Sequence, residues 1–340
     1  MGGRNATDSD TVFVTVVIIT KDRSDDIGAI SLPSLAVQTC RDFCVLVWDA
    51  SANDATKVAV ADFVAAHPSV AVRYSRAPRP GTSCQRNDAM DSCTSRLLLY
   101  IDDDVELMPT AVAELRRVFH DDDSGRLAGC QCSLVGGPPK GGLWEHLARL
   151  WYRLWGMWCD GNRQAVRLSG FNTALRPTTA SAALATPPGM PPRTDLEWLS
   201  GCAMAFRRDI LVRHELRFDE RLMRFGGYGR AEDLLLSGLL HLRFGYDLAC
   251  APSALAVHHT GAGTHGASRD QPAMVVYNHT LVWHELMSTR RGSHLALAWS
   301  RVGLALRYAI PVILGRGTAE LTSFRAGLRA AHALVRPRES

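Results

Sequence analysis

Apolar and polar positions along the first third of the chain fall into blocks, short apolar runs alternating with longer amphipathic ones. Residues 12–20 are apolar and β-branched and predict a buried strand. Residues 27–37 place Ile27, Ile30 and Leu35 at helical spacing, with Pro33 as a kink. Residues 43–48 predict a second strand, 55–66 a helix behind the caps Asn53 and Asp54, and 70–74 a short third strand. A loop rich in breakers, 76–81, leads to a helix over 83–93 that carries Arg86 and Asn87. The apolar run 97–101 then stops abruptly at Asp102-Asp103-Asp104. Residues 109–119 read as a helix with Pro in its first turn, and 247–257 as a last strand. This alternation predicts an α/β fold, a mostly parallel sheet with helices on both faces.

In such sheets ligands bind outside the carboxyl ends of the strands. The clusters Thr20-Lys21-Asp22-Arg23, Asp49-Ala50-Ser51, Arg79-Pro80-Gly81 and Asp102-Asp103-Asp104 all fall at those ends and argue for a nucleotide site. Thr20, Asp22, Arg23, Asp49, Ser51 and Gly81 are candidates on this ground, joined by Arg86 and Asn87 from the next helix. Three adjacent carboxylates repel one another unless a cation or several donors sit among them. In strand geometry Asp102 and Asp104 face one way and Asp103 the other, an arrangement suited to a hard divalent cation bound with phosphate oxygens. Most acidic triplets are solvated turns, and Asp121-Asp122-Asp123, which follows an amphipathic segment and runs into Ser124-Gly125, reads as one. The first triplet ends a buried strand instead, which favours the metal reading.

Composition narrows the choice of partner. The chain has 340 residues, 46% hydrophobic and 21% charged, and its net charge of +4 is too weak to imply nucleic acid. Its nine cysteines form no framework, with Cys130-x-Cys132 the one close pair, so reduced thiols in a cytoplasmic setting are expected. No Gly-x-Gly-x-x-Gly follows the first strand and no Gly-x-x-x-x-Gly-Lys-Ser/Thr occurs, which counts against dinucleotide-binding oxidoreductases and P-loop enzymes.

An ordered set of motifs resembles the inverting glycosyltransferases of family 2, which have the GT-A fold of nucleotide-diphospho-sugar transferases. The set comprises Val17-Ile18-Ile19-Thr20-Lys21-Asp22-Arg23, Val47-Trp48-Asp49-Ala50-Ser51, Gln85-Arg86-Asn87-Asp88-Ala89 and Tyr100-Ile101-Asp102-Asp103-Asp104. It continues in residues 198–208, in Phe218-Asp219-Glu220-Arg221 and in Ala231-Glu232-Asp233-Leu234, and covers roughly residues 11 to 260. The resemblance implies that Asp49 contacts the base and that Asp103 lies near the ribose. It also implies that Asp104, helped by Asp102, holds Mg²⁺ or Mn²⁺ on the diphosphate. Arg86 stands where the family touches the nucleotide, and Asp233 matches the general base, with Glu232 beside it. A helix N-terminus also favours acidic residues, and both readings of Glu232-Asp233 are compatible. After the last strand, His258-His259 stand where a further metal ligand is expected, with His258 preferred. Residues 260–266 then read as a loop able to close over the diphosphate.

The reading divides the chain into a disordered tail (1–10), a catalytic domain (11–290) and a C-terminal helical segment (291–340). Within the catalytic domain, 11–125 bind the nucleotide sugar and 126–290 form the acceptor half. Trp144, Leu147, Trp151, Leu154, Trp155 and Trp158 recur at helical spacing, a stripe suited to core, interface or acceptor wall. Residues 177–193 read as a loop. Residues 294–314 are apolar but interrupted by Arg301, Arg307 and Pro311, which excludes a bilayer span and predicts an amphipathic helix, against the catalytic domain or peripheral on the inner face of the cell membrane. The expected activity is metal-dependent transfer of a sugar, with inversion, from a nucleotide diphosphate-sugar to a hydroxyl of a glycan, a lipid-linked or a small-molecule acceptor. The alternatives are a nucleotidyltransferase, whose Gly-rich loop is missing after the first strand, and a non-catalytic nucleotide-sugar-binding protein, against which the intact carboxylate sets argue.

Overall fold

The computed structural model describes residues 13–135, 191–192, 194, 196–226, 229–259, 270–288, 293–315 and 318–335, with Leu147, Trp151, Leu154 and Trp155 besides. The predicted loop over 260–266, and most of the Trp-rich and 177–193 segments, lie outside the described residues. The expected chain order holds at the start: β1 (Val14–Thr20), a helical stretch, β2 (Phe43–Asp49), α3 (Ala55–Ala66), β3 (Ala71–Arg76), α4 (Thr82–Asp91) and β4 (Leu97–Asp102). The helical stretch runs through α1 (Ser24–Asp26), a π-turn (Ile27–Ser31) and α2 (Leu32–Ala36). Pro33 sits at the start of α2 within this continuous helical stretch, and the π-turn directly before it, closed by Leu32 N–H to the Ile27 carbonyl, takes the place of a kink.

Then come β5 (Val105–Leu107), α5 (Ala111–His120), β6 (Leu127–Val135), β7 (Ala203–Arg207) and α6 (Arg208–Arg213). These are followed by α7 (Glu232–Gly238), β8 (Asp247–His258), α8 (Gln271–Met287), α9 (Ser293–Ile313) and α10 (Ala319–Val335). The strands form one sheet in the order β3-β2-β1-β4-β7-β6-β8-β5. Strands β1 to β4 are parallel, as are β6 and β8, whereas β7 runs antiparallel to both its neighbours and β5 antiparallel to β8. The sheet is buried on both faces. Val16, Ile18, Val45, Leu99 and Ile101 pack on one side against Ile27, Leu35 and Leu115, and Val17, Leu46, Leu98 and Tyr100 on the other against Met90, Leu236 and Leu240. Burial on both faces explains why these strands read as continuous apolar runs.

The second acidic triplet is a turn, as expected, but Asp122 is structural. Its Oδ2 accepts from the Leu127 amide at 2.9 Å and from Arg207 Nη2 at 3.2 Å, and its Oδ1 from Ser124 Oγ at 2.6 Å. Burial opposes ionisation there, yet these donors outweigh it and hold the carboxyl below its ordinary value.

The last three helices pack together. Val276 of α8, Leu304 and Tyr308 of α9 and Phe324 of α10 share one cluster. A Cβ on Gly327 would lie 2.3 Å from the Ala273 carbonyl oxygen, so α8 and α10 approach to a distance only glycine allows. Asn278 of α8 donates to the carbonyls of Leu222 at 3.0 Å and Arg230 at 2.9 Å, which ties this bundle to the segment leading into α7. No described helix is long and apolar enough to cross a membrane.

Candidate active site

The carboxyl ends of β1, β2 and β4 meet the start of α7 and the end of β8. Antiparallel pairing of β5 with β8 sets Val105 opposite His258, which brings the imidazole beside Asp104. One ligand atom each from Asp102, Asp104 and His258 lie within 4.8 Å of one another. His258 Nε2 is 3.1 Å from Asp104 Oδ1, yet that buried oxygen makes no hydrogen bond of good geometry. Two carboxylates and an imidazole around an unsatisfied carboxylate oxygen fit a divalent cation. His259 is not brought in: its ring sits 2.7 Å from Glu106, while its amide donates to the Asp104 carbonyl. The side chains alternate along a strand, so one histidine of the pair faces the site and the other leaves it.

Arg23 lies across the triplet, with Nη2 2.8 Å from Asp104 Oδ2, Nη1 3.1 Å from Asp103 Oδ1, and Nε 2.8 Å from Asp26. Thr20 Oγ1 donates to Asp103 Oδ2 at 2.7 Å. Burial pushes the Asp103 carboxyl up to about 7. Burial opposes ionisation of Asp104 as well, but His258 and Arg23 hold its carboxyl below the ordinary value. Desolvation works against the His258 cation, and Asp104 and Asp102 outweigh it and raise its pKa.

Asp49 is fully buried, and both its oxygens are taken. Oδ1 accepts from the amide and hydroxyl of Ser51 at 2.8 and 2.5 Å, and Oδ2 from the Tyr74 hydroxyl at 2.7 Å and Arg76 Nη1 at 3.1 Å. Ser51 Oγ in turn accepts from the amide of Asp22, whose φ of 56° lies in the left-handed region. Gly81 opens α4 at φ 142°, where a Cβ would lie 2.5 Å from Met223 Sδ.

Arg86 and Asn87 face inward. Asn87 exchanges two 2.9 Å bonds with the backbone of Phe218 and so holds the 218–220 segment against α4. Arg86 is buried over the Phe218 ring and joins the two acidic groups of the site. Its Nη1 donates to Glu232 Oε1 at 2.6 Å, and its Nη2 to Asp102 Oδ1 at 3.4 Å and to the Gly201 carbonyl at 3.1 Å. Asp233 is aimed by two amides: Gly201 N–H to Oδ2 at 2.7 Å and Leu234 N–H to Oδ1 at 2.8 Å. A Cβ at Gly201 would lie 3.0 Å from Asp233 Oδ2 and would press on the carboxylate. Ala231, just before the pair, holds a left-handed φ of 72°, a strained start for α7 at the point where the carboxylates are presented. Burial raises the pKa of Glu232 and of Asp233, with the Asp233 charge adding to the rise of Glu232 and Arg86 opposing both.

Three participants were not assigned roles from sequence. Gln85 ties the strand ends together, its Nε2 donating to the carbonyls of Thr20 and Trp48 at 3.1 Å and its Oε1 accepting from Gly81 N–H. Tyr74 and Arg76 cover Asp49. Gln85 stands inside a quoted motif, whereas nothing in the spacing of Tyr74 or Arg76 marks them.

With this geometry in view, comparison with known proteins is informative. Residues 15–156 match the model of Glycosyl transferase family 2. Similar solved structures include S. aureus TarS 1–349 with UDP-GlcNAc, at 14% identity and TM-score 0.57 over 95% of this chain and 82% of that one. The Pyrobaculum calidifontis mannosyltransferase PcManGT with GDP-Man and Mn²⁺ is similar at 17% identity and TM-score 0.52, over 96% and 87%. GalNAc-T7 with UDP, GalNAc and Mn²⁺ is similar at 17% and 0.59, but this chain spans only 55% of it. No curated protein matches the chain. At these identities the likeness speaks for the fold, which is GT-A-like.

Proposed function

We propose that the protein is a metal-dependent, inverting glycosyltransferase that moves a sugar from a nucleotide diphosphate-sugar to a hydroxyl acceptor. The observation that carries this reading is the single polar network running from buried Asp104 and half-buried Asp102 and His258 through buried Arg86 to Glu232 and Asp233. The matched family model and the GT-A-like fold support it. Residues 11–125 then form the donor half and 126–290 the acceptor half.

Asp102, Asp104 and His258 would hold Mg²⁺ or Mn²⁺, which when bound neutralises charge on a leaving diphosphate. The chain's own residues do the rest. Thr20 and Asp103 present a hydroxyl and a carboxylate toward the ribose. Arg23, already resting on Asp103 and Asp104, supplies a cation at the same edge. Asp233 accepts the proton of the acceptor hydroxyl as it attacks the anomeric carbon from the face opposite the diphosphate. Burial raises its pKa and so strengthens it as a base, while the two amides fix its direction. Asp49 would reach a base only after Tyr74 and Arg76 release Oδ2; otherwise those two side chains meet the base.

The test is to incubate the protein with UDP- and GDP-sugars and Mn²⁺ and follow nucleoside diphosphate release, with and without EDTA. Release abolished by EDTA is expected. Pyrophosphate release from a nucleoside triphosphate and a sugar phosphate would favour the nucleotidyltransferase instead. Binding of the donor without turnover, in the presence of a panel of acceptors, would favour the binding protein.

A further inference from the structure

Helix α9 has two unlike faces. Leu297, Leu304 and Tyr308 are buried against α8 and α10. The opposite face shows Leu295, Trp299, Val302, Leu306, Ile310 and Ile313, at steps of three or four residues and all exposed, with Ile313 at 79% and Leu295 at 62%. Such steps keep side chains on one side of a helix, so these residues form a single stripe about 27 Å long. Solvent-facing aliphatic residues are ordinary when scattered, but a continuous stripe along one helix marks an interaction surface. The stripe is widened by a neighbouring segment. Trp299 Nε1 donates to the Leu154 carbonyl at 2.8 Å and its ring lies 4.7 Å from that of Trp155, while Leu154 is itself 59% exposed.

The charge along this part of the sequence indicates what covers the stripe. No acidic residue occurs between Glu285 and Glu320, whereas Arg290, Arg291, Arg301, Arg307 and Arg316 all do. Residues 289–340 carry nine arginines against two glutamates in a chain of net charge +4, so the remainder is net negative. The positive charge is therefore gathered on the segment that presents the apolar stripe. Arg307 is exposed one position from Leu306. A second copy docked face to face would set a stripe flanked by Arg307 in a net-positive segment on an identical one, with like charges opposed. An anionic lipid surface complements both features. Its headgroups meet the exposed Arg307, its acyl boundary takes the aliphatic side chains, and an indole at the edge suits the region between, whereas Arg301 turns to the inner side of the helix and donates to Thr280 Oγ1 at 3.1 Å. The buried face fixes the helix in advance, so no folding is needed on contact.

We propose that α9 docks the protein in the plane of an anionic lipid surface without crossing it. This inference does not depend on the reading of the active site. It is tested by sedimenting the full chain with phosphatidylcholine vesicles that contain or lack phosphatidylglycerol. The protein should pellet with the anionic vesicles and be released by high salt or carbonate. Leu306→Glu with Ile310→Glu, at two exposed positions, should leave the melting temperature unchanged and weaken partition by about tenfold or more. Should that variant fail to fold, the single exposed change Arg307→Glu should still lower binding by about fivefold. Failure of the folded protein to pellet with anionic vesicles would overturn the proposal, as would undiminished binding of the folded variants. A dimer by light scattering that Leu306→Glu with Ile310→Glu converts to a monomer would also overturn it, and would assign the stripe to a second copy.

Discussion

Replacing Arg86 by Met keeps an unbranched apolar stem and removes the guanidinium charge from the centre of the site. Glu232 Oε1 then loses a donor at 2.6 Å and the half-buried Asp102 Oδ1 one at 3.4 Å, and the Glu232 carboxylate stays buried beside Asp233. Breaking one side of a buried ion pair destabilises by about 3–5 kcal/mol, because the remaining charge has neither water nor partner. For a chain of this length that is a fall in melting temperature of roughly 4–8 °C, readable by calorimetry or dye-based melting. Arg86→Met with Glu232→Gln should recover a large part of the loss, since removing both members of a buried pair is far less damaging than removing one. The loss should also depend on pH. The pKa values of Glu232, Asp233 and Asp102 are all raised in the fold, first by burial. A raised carboxyl stabilises the fold below its unfolded pKa, and that stabilisation disappears as pH climbs through the folded value. Without Arg86 the folded values rise further, so the variant should be closer to wild type near about pH 5 than near about pH 8. A melting temperature unchanged at both pH values, or a double variant no better than the single one, would refute the view that Arg86 neutralises this cluster.

Further outcomes follow from the same network. Asp233→Asn should leave donor affinity nearly intact and lower turnover by about 10²-fold or more in a coupled diphosphate-release assay, with Glu232→Gln less severe; the reverse order would exchange their roles. Because burial raises the Asp233 pKa, turnover should decline on the acid side at a pH above the ordinary aspartate range, as a pH–rate profile would reveal. Asp122→Ala should destabilise by about 1–3 kcal/mol in denaturant unfolding, through the lost Leu127 and Arg207 bonds, while the exposed Asp123→Ala should be silent.

The sheet was legible where strands are buried on both faces and rich in β-branched residues or leucine. β1, β2 and β4 appear as unbroken apolar runs, and α3 occupies the predicted span, 55–66. Strand β6 was not, because Leu127-Ala128-Gly129-Cys130-Gln131-Cys132-Ser133 is made of small and polar residues that carry little strand signal. Strand β7 was noticed as a motif, but its antiparallel direction depends on the partners β4 and β6. The same divide runs through the site. Asp102 and Asp104 could be paired from alternation along a strand, although β4 ends at Asp102, and Asp103 and Asp104 lie in a turn where Arg23 meets both. His258 was preferred over His259 from its place after the last strand, whereas the β5–β8 register is what sets its imidazole beside Asp104. Asn87 and Arg86 were marked as nucleotide contacts by position, yet their side chains turn inward to the backbone of Phe218 and to Glu232. Asp49 stands at its expected strand end with its carboxylate spent on Ser51, Tyr74 and Arg76, which no local spacing foretells. Asp122 shows the converse, a turn residue whose long-range partners make it structural.

The central claim is that the end of β4 holds a divalent cation together with a nucleoside diphosphate. Electron paramagnetic resonance titration of Mn²⁺, with UDP and with GDP present, measures this without any need to know the sugar or the acceptor. Wild-type protein should bind Mn²⁺ in the presence of the matching nucleotide, and Asp104→Ala should lose that binding while keeping its fold. Metal affinity unchanged in folded Asp104→Ala would contradict the account.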